Sequence, residues 1–173
     1  MQPVHDLVWL NSLNAEEAAK AFLKCCGSTR WAGLMSNDRP YTTLEDVVKH
    51  AGQIWFSLTA ADWLEAFRSH PKIGEKKASQ DVAAQSQRWS SQEQSGVTES
   101  TPETIDSLAT LNRAYEEKFG FIFIICATGK TAGEMLEALK ERLQHNYDTE
   151  LPLAAAEQGK ITELRLKKLL TST

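Results

Sequence analysis

A helix-capping side chain keeps recurring at the head of an amphipathic stretch along this chain. Asn14 stands three residues before Glu17 and opens a run with Ala18, Ala19, Phe22 and Leu23 at helical spacing, which Gly27 stops. Thr42 with Glu45 opens a second run, with Leu44, Val47, Val48, Ala51 and Trp55 on one face. Thr59 with Asp62 opens a third, carrying Trp63, Leu64 and Phe67; it ends near Ser69, because Pro71 disfavours helical geometry at His70. Thr101-Pro102-Glu103 places a proline at the first helical position, ahead of Ile105, Leu108, Leu111, Asn112 and Tyr115, with Gly120 as the stop. Thr131 with Glu134 opens a run through Met135, Leu136, Leu139 and Leu143, and a last run carries Ile161, Leu164, Leu166, Leu169 and Leu170. Residues 78–88 are polar and predicted helical, whereas the serine-rich stretch after them, as far as Glu103, is predicted as a loop. A chain punctuated in this way is expected to be all-α, a single compact domain over residues 1–173 with roughly eight helices of ordinary length.

One segment departs from the helical period. "FGFIFIICATG", from Phe119 to Gly129, is apolar, aromatic and β-branched, the pattern of a buried strand. A lone strand needs partners, and no second run is as convincing, so an irregular buried segment near 119–128 is expected, either extended or a buried helix turn. Gly129-Lys130-Thr131 follows it and has the look of a phosphate-binding loop. Such a loop needs a glycine five residues before Gly129, where this chain has Ile124, and a β-branched residue does not take that turn cheaply. A turn leading to a helix cap at Thr131 is the better expectation.

Bulk properties exclude several classes. The 173 residues suffice for one domain with a real core, and 42% hydrophobic with 24% charged is ordinary for a globular protein. A net charge of −4 gives no general attraction to nucleic acid or an anionic membrane. The first twenty residues lack the basic start and long apolar stretch of a signal peptide. Cys25, Cys26 and Cys126 form no disulfide framework, so a cytoplasmic, reducing environment is expected. Cys25 and Cys26 are adjacent at a helix end, and at most one is expected to face the core. The histidines are scattered without metal-ligand spacing, so no metal site is expected.

Three features invite chemistry. His70 sits where Pro71 cuts a helix; it reads as a cap or surface residue, or as a base held at the mouth of a pocket. Ser90, Glu93 and Gln94 are spaced to share one helical face, although Ser90 with Glu93 also spells a capping box. Arg165 lies between Leu164 and Leu166, near an apolar stripe. It reads as a snorkelling side chain or as a clamp for a carboxylate or a planar urea-like group.

Together these stretches resemble a known family. "SHPKIG" (Ser69–Gly74), "WSSQEQSG" (Trp89–Gly96), "YEEKFGFIFIICATG" (Tyr115–Gly129) and "KITELRLKKLL" (Lys160–Leu170) stand in the order found in the 2-oxo-4-hydroxy-4-carboxy-5-ureidoimidazoline (OHCU) decarboxylases, and Trp31 and Arg39-Pro40 fit as well. The resemblance implies an all-helical, cofactor-free and metal-free carboxy-lyase that converts OHCU to (S)-allantoin in urate breakdown. It also implies a homodimer, with urate oxidase and hydroxyisourate hydrolase as pathway neighbours. It makes His70 the catalytic acid/base and Glu93 its partner. Pro71, Ser90, Glu93, Gln94 and the backbone of Phe123, Ile124, Ile125, Cys126 and Ala127 would contact the substrate, and Arg165 would hold its anionic end. Two other readings stay open: a helical ureide hydrolase or isomerase using the same His70/Glu93 pair, and a helical binding module without chemistry.

Overall fold

The computed structural model describes residues 5–72, 84–98 and 100–171. Among them there are ten helices and no strand. Ile73 and Gly74 of the "SHPKIG" motif and residues 78–83 of the polar stretch lie outside the described residues. The chain divides into two compact units, one formed by Met1–Ala66 with Gly159–Thr173 and the other by Phe67–Gln158. No helix among the described residues is long and apolar enough to cross a membrane.

The first unit contains α1 (Leu7–Ser12), α2 (Ala15–Leu23), α3 (Thr29–Asn37) and α4 (Leu44–Ser57). To these it adds α5 (Ala60–Arg68) as far as Ala66 and the C-terminal part of α10 (Tyr147–Thr171). Its core is built on Phe22, Trp31, Met35, Trp55 and Leu166, all at 2% exposure or less. Burying side chains of this size stabilises by about 1.5–3 kcal/mol each. The polar edges of these aromatics are satisfied: Trp31 Nε1 donates to Ala51 O at 3.1 Å and Trp63 Nε1 to Trp55 O at 2.9 Å. Arg39 joins helix ends, its Nη1 donating to the carbonyls of Leu10 and Leu13 at 2.7 Å.

The caps explain most of the helix starts. Asn14 forms the full capping box with Glu17, as expected, and Thr101 and Thr131 cap α8 (Pro102–Phe119) and α9 (Ala132–Arg142). Gly120 closes α8 in the left-handed region at φ 79°, a conformation glycine adopts without a Cβ penalty. The expected Thr42/Glu45 cap is corrected by one residue. Thr43 Oγ1 accepts from Asp46 N at 3.0 Å, and Thr42 N donates to the Asp46 carboxylate at 3.2 Å. Helices α1 and α3 lie outside the stretches that read as helical; Asp6 and Ser28 cap them by accepting from the N–H groups of Trp9 and Trp31.

The second unit holds the end of α5, then α6 (Ala84–Glu93), α7 (Ser95–Thr98), α8, α9 and the N-terminal part of α10. The serine-rich stretch is thus largely helical rather than a loop. Phe119 is the last residue of α8; beyond it the 119–128 segment runs irregular and without helix, and Phe121 and Phe123–Ala127 are buried. Phe121 and Phe123 pack on Tyr115 with ring centroids 5.8 and 5.3 Å apart, and Phe67 lies 5.4 Å from Phe121. Pro152 lies inside α10, which therefore begins well before the stretch that reads as its start.

Candidate active site

His70 lies just past α5, its backbone N–H donating to Phe67 O at 3.2 Å. Pro71 follows it outside any helix and is half-buried. The His70 ring is held by a residue the sequence did not single out: its Nε2 lies 2.5 Å from Gln158 Oε1, and Gln158 is fully buried on α10.

Ser90 and Glu93 are buried and Gln94 is half-buried. The capping-box reading of Ser90 is corrected. Helix α6 already runs from Ala84 to Glu93 among the described residues, so Ser90 and Glu93 lie in its last turns, and Gln94 N donates to Ser90 O at 3.0 Å. The shared-face reading fits this geometry, because residues at i, i+3 and i+4 are neighbours on a helix surface. Gly96 explains how this face is placed. A Cβ at Gly96 would meet the carbonyl oxygen of Lys130 at 2.4 Å, so only glycine allows the backbone this close to the end of the 119–128 segment.

That segment is pinned from several sides. Arg142 Nη1 donates to Ile124 O at 2.5 Å, Cys126 N donates to the Glu157 carboxylate at 2.8 Å, and Lys130 Nζ donates to Cys126 O at 3.0 Å. Lys130 N donates to Ala127 O at 3.0 Å in the turn that leads to Thr131. An irregular buried segment has backbone N–H and C=O groups that no helix or sheet pairs. At Ile124 C=O, Cys126 N–H and C=O, and Ala127 C=O those groups have protein partners, as buried backbone requires. Burial pushes the Cys126 thiol above its ordinary range, and the charges of Glu157 and Glu93 add to this while Lys130 opposes it. The charges of Glu93 and Glu157 thus both act on the Cys126 thiol, and Glu157 holds the Cys126 N–H as well.

Behind the segment lies a buried ionic network. Glu150, fully buried, accepts from Arg142 Nε at 2.5 Å and from Tyr115 Oη at 2.6 Å, and its other oxygen lies 3.0 Å from His145 Nδ1. The Arg142 guanidinium stacks 4.6 Å from the Phe123 ring centroid. Burial, and next the bond to Glu150, drive the Tyr115 hydroxyl well above its usual range.

Arg165 belongs to the first unit and is 3% exposed, which a snorkelling head group in water is not. Its charge acts on the thiols of Cys25 and Cys26. Both cysteines are buried, correcting the expectation that at most one faces the core. Among the described residues no group of three or more His, Cys, Asp or Glu side chains is arranged to hold a metal ion.

The sequence signals for Gln158 and Glu157 are weak, since "AAAEQGK" reads as an ordinary helix surface. They are neighbours in sequence and point to different sides of α10, so one reaches Cys126 and the other reaches His70.

Comparison with known proteins gives a consistent picture. The family model described as OHCU decarboxylase matches residues 11–167. The chain is 43% identical over 148 residues to the uric acid degradation bifunctional protein TTL of Arabidopsis thaliana, covering 85% of this chain and 45% of that protein. It therefore spans less than half the length of that relative. It is 31% identical to the 2-oxo-4-hydroxy-4-carboxy-5-ureidoimidazoline decarboxylase of Mus musculus, covering 95% of this chain and 93% of that one. A crystal structure of OHCU decarboxylase in the presence of (S)-allantoin superimposes with a TM-score of 0.76 at 40% identity, covering 92% of this chain and all of that one. With its all-helical fold and a family match running through both units, the chain belongs to the OHCU decarboxylase family.

Proposed function

We propose that this chain is a carboxy-lyase that decarboxylates OHCU to (S)-allantoin in urate breakdown, with His70 as acid/base and Glu93 as its partner. The observation that carries the reading is the family match over residues 11–167, a range that contains every candidate site residue. Further support comes from the oriented imidazole of His70, the buried Glu93 and the pinned 123–127 segment, which all lie in one compact unit.

The substrate's chemistry explains what such a site must do. The carboxylate is attached to a ring carbon that also bears a hydroxyl and adjoins a C=N bond. When the C–CO₂ bond breaks, its electron pair forms a C=C bond to the neighbouring carbon, and the C=N electrons move onto nitrogen, which takes a proton. The substrate is its own electron sink, so no cofactor or metal is required. The hydroxyl then gives up its proton as the carbonyl forms, and a proton is delivered to one face of the carbon bearing the ureido group.

Proton transfer and positioning are what the residues supply. His70, with an imidazole suited to exchange near neutral pH, moves the proton, and Glu93 orients the ring or shares that proton. Pro71, Ser90 and Gln94 fix the ring and ureido group, the Phe123–Ala127 backbone lines the site, and Arg165 holds the carboxylate. The chain acts as one functional domain, as a cytoplasmic homodimer, downstream of urate oxidase and hydroxyisourate hydrolase.

The test is an assay on freshly generated OHCU that follows CO₂ release. His70→Ala and Glu93→Ala are expected to lose about 10²-fold or more while remaining folded. Consumption of OHCU without CO₂ would favour a ureide hydrolase or isomerase. Variants as active as the unmutated chain would remove His70 and Glu93 from the chemistry.

A further inference from the structure

The partner of His70 is an amide. Gln158 presents Oε1 to His70 Nε2 at 2.5 Å and is itself fully buried. An amide oxygen only accepts, so the ring nitrogen facing it carries the proton. A buried amide is costly to leave without its hydrogen bonds, which restrains Gln158 to one pose. The backbone of His70 is anchored as well, through its bond to Phe67 O.

We propose that Gln158 is a positioning residue that holds His70 as the Nε2–H tautomer, so that proton exchange with the substrate, directly or through Glu93, runs through Nδ1. This rests on the reading of His70 as the acid/base. A carboxylate in the same place would also orient the ring, but it would stabilise the imidazolium and resist its deprotonation. An uncharged amide sets the tautomer and leaves the ring able to alternate between its two charge states. The preceding residue, Glu157, fixes Cys126 N–H from the same turn of α10. One rigid helical turn thereby registers the acid/base ring against the segment that lines the site.

The direct test needs no variant. Nitrogen chemical shifts of His70 in the substrate-free, unmutated protein, read at a pH where the ring is neutral, are expected to show Nε2 bearing the proton. A predominant Nδ1–H tautomer would overturn the proposal. Gln158→Glu is expected to raise the midpoint of the His70 titration by about one unit or more and to carry the acidic limb of kcat/KM upward with it. Gln158→Leu, which removes the acceptor without adding charge, is expected to lower kcat roughly tenfold to a hundredfold with KM little changed. An unmoved His70 titration in the first variant together with full kcat in the second would contradict the proposal. The nitrogen shifts are read without turnover. An unmutated chain that shows the Nε2–H tautomer but does not decarboxylate OHCU would therefore sink the functional reading and leave the assigned tautomer standing.

Discussion

Arg142 donates to the backbone carbonyl of Ile124 at 2.5 Å while its Nε is bound to the fully buried carboxylate of Glu150. A buried cation thus holds the middle of the segment proposed to line the site, and a buried anion holds the cation. Removing Arg142 leaves the buried Glu150 carboxylate with only Tyr115 Oη and His145 Nδ1 as partners. Arg142→Met is expected to cost about 3–5 kcal/mol in urea unfolding, whereas Arg142→Met combined with Glu150→Gln is expected to cost clearly less than the sum of the single changes. A loss below about 1 kcal/mol for Arg142→Met would mean that the network does not hold the segment.

Gly96 and Gly33 make a matched pair. A Cβ at Gly96 meets the Lys130 carbonyl at 2.4 Å, while one at Gly33, within α3, meets nothing within 4 Å. Gly96→Ala is expected to destabilise by about 1–3 kcal/mol and to lower activity, because the face carrying Ser90, Glu93 and Gln94 must move. Gly33→Ala is expected to stabilise by up to about 1 kcal/mol, from helix propensity alone. Equal effects at the two sites would show that close approach at Gly96 is unimportant.

These residues also show what could be read from the sequence. Asn14, Thr101, Thr131 and Gly120 announce their helix ends because capping is local chemistry, decided within a few residues. The irregular character of the 119–128 stretch was legible because a lone β-like run has nothing to pair with. The first turns of α10 are not legible in the sequence, where Pro152 stands among them. A proline deletes one backbone donor and disfavours helix, yet near the helix start the loss is one bond, and the packing of the remaining turns overrides it. The motif residues His70, Glu93 and Arg165 were visible as a set. Gln158, Glu157 and Arg142 were not, because their roles come from contacts made 88, 31 and 18 residues away in sequence.

Glu157 supplies a test of the pinned segment. Its carboxylate accepts Cys126 N–H at 2.8 Å. Glu157→Gln keeps an acceptor and is expected to leave stability nearly unchanged. Glu157→Leu leaves the amide without its partner and is expected to cost about 1–3 kcal/mol. Hydrogen exchange at the Cys126 amide should accelerate in the leucine variant, and an unchanged exchange rate there would contradict the assigned bond.

The thiols give a pH prediction. Burial pushes the Cys26 thiol from an ordinary 9.0 up to about 12, and it pushes Cys25 up as well. Below the unfolded value both states are protonated and this contribution to stability is fully present. Above about pH 9 the unfolded chain ionises first, so stability is expected to fall progressively toward pH 12. At pH 8 the native protein should react slowly with a thiol reagent and the unfolded protein quickly. Rapid labelling of native Cys25 or Cys26 would contradict the burial of these groups.

The most direct measurement is a coupled assay in which urate oxidase and hydroxyisourate hydrolase generate OHCU from urate, this protein is added, and both the near-UV decay and the optical activity of the allantoin are followed. Decay well above the spontaneous rate, CO₂ release and (S)-allantoin as the sole enantiomer are expected, with rate and stereochemistry both lost in His70→Ala. Decay at the spontaneous rate to racemic allantoin, with the protein folded, would contradict the proposed function.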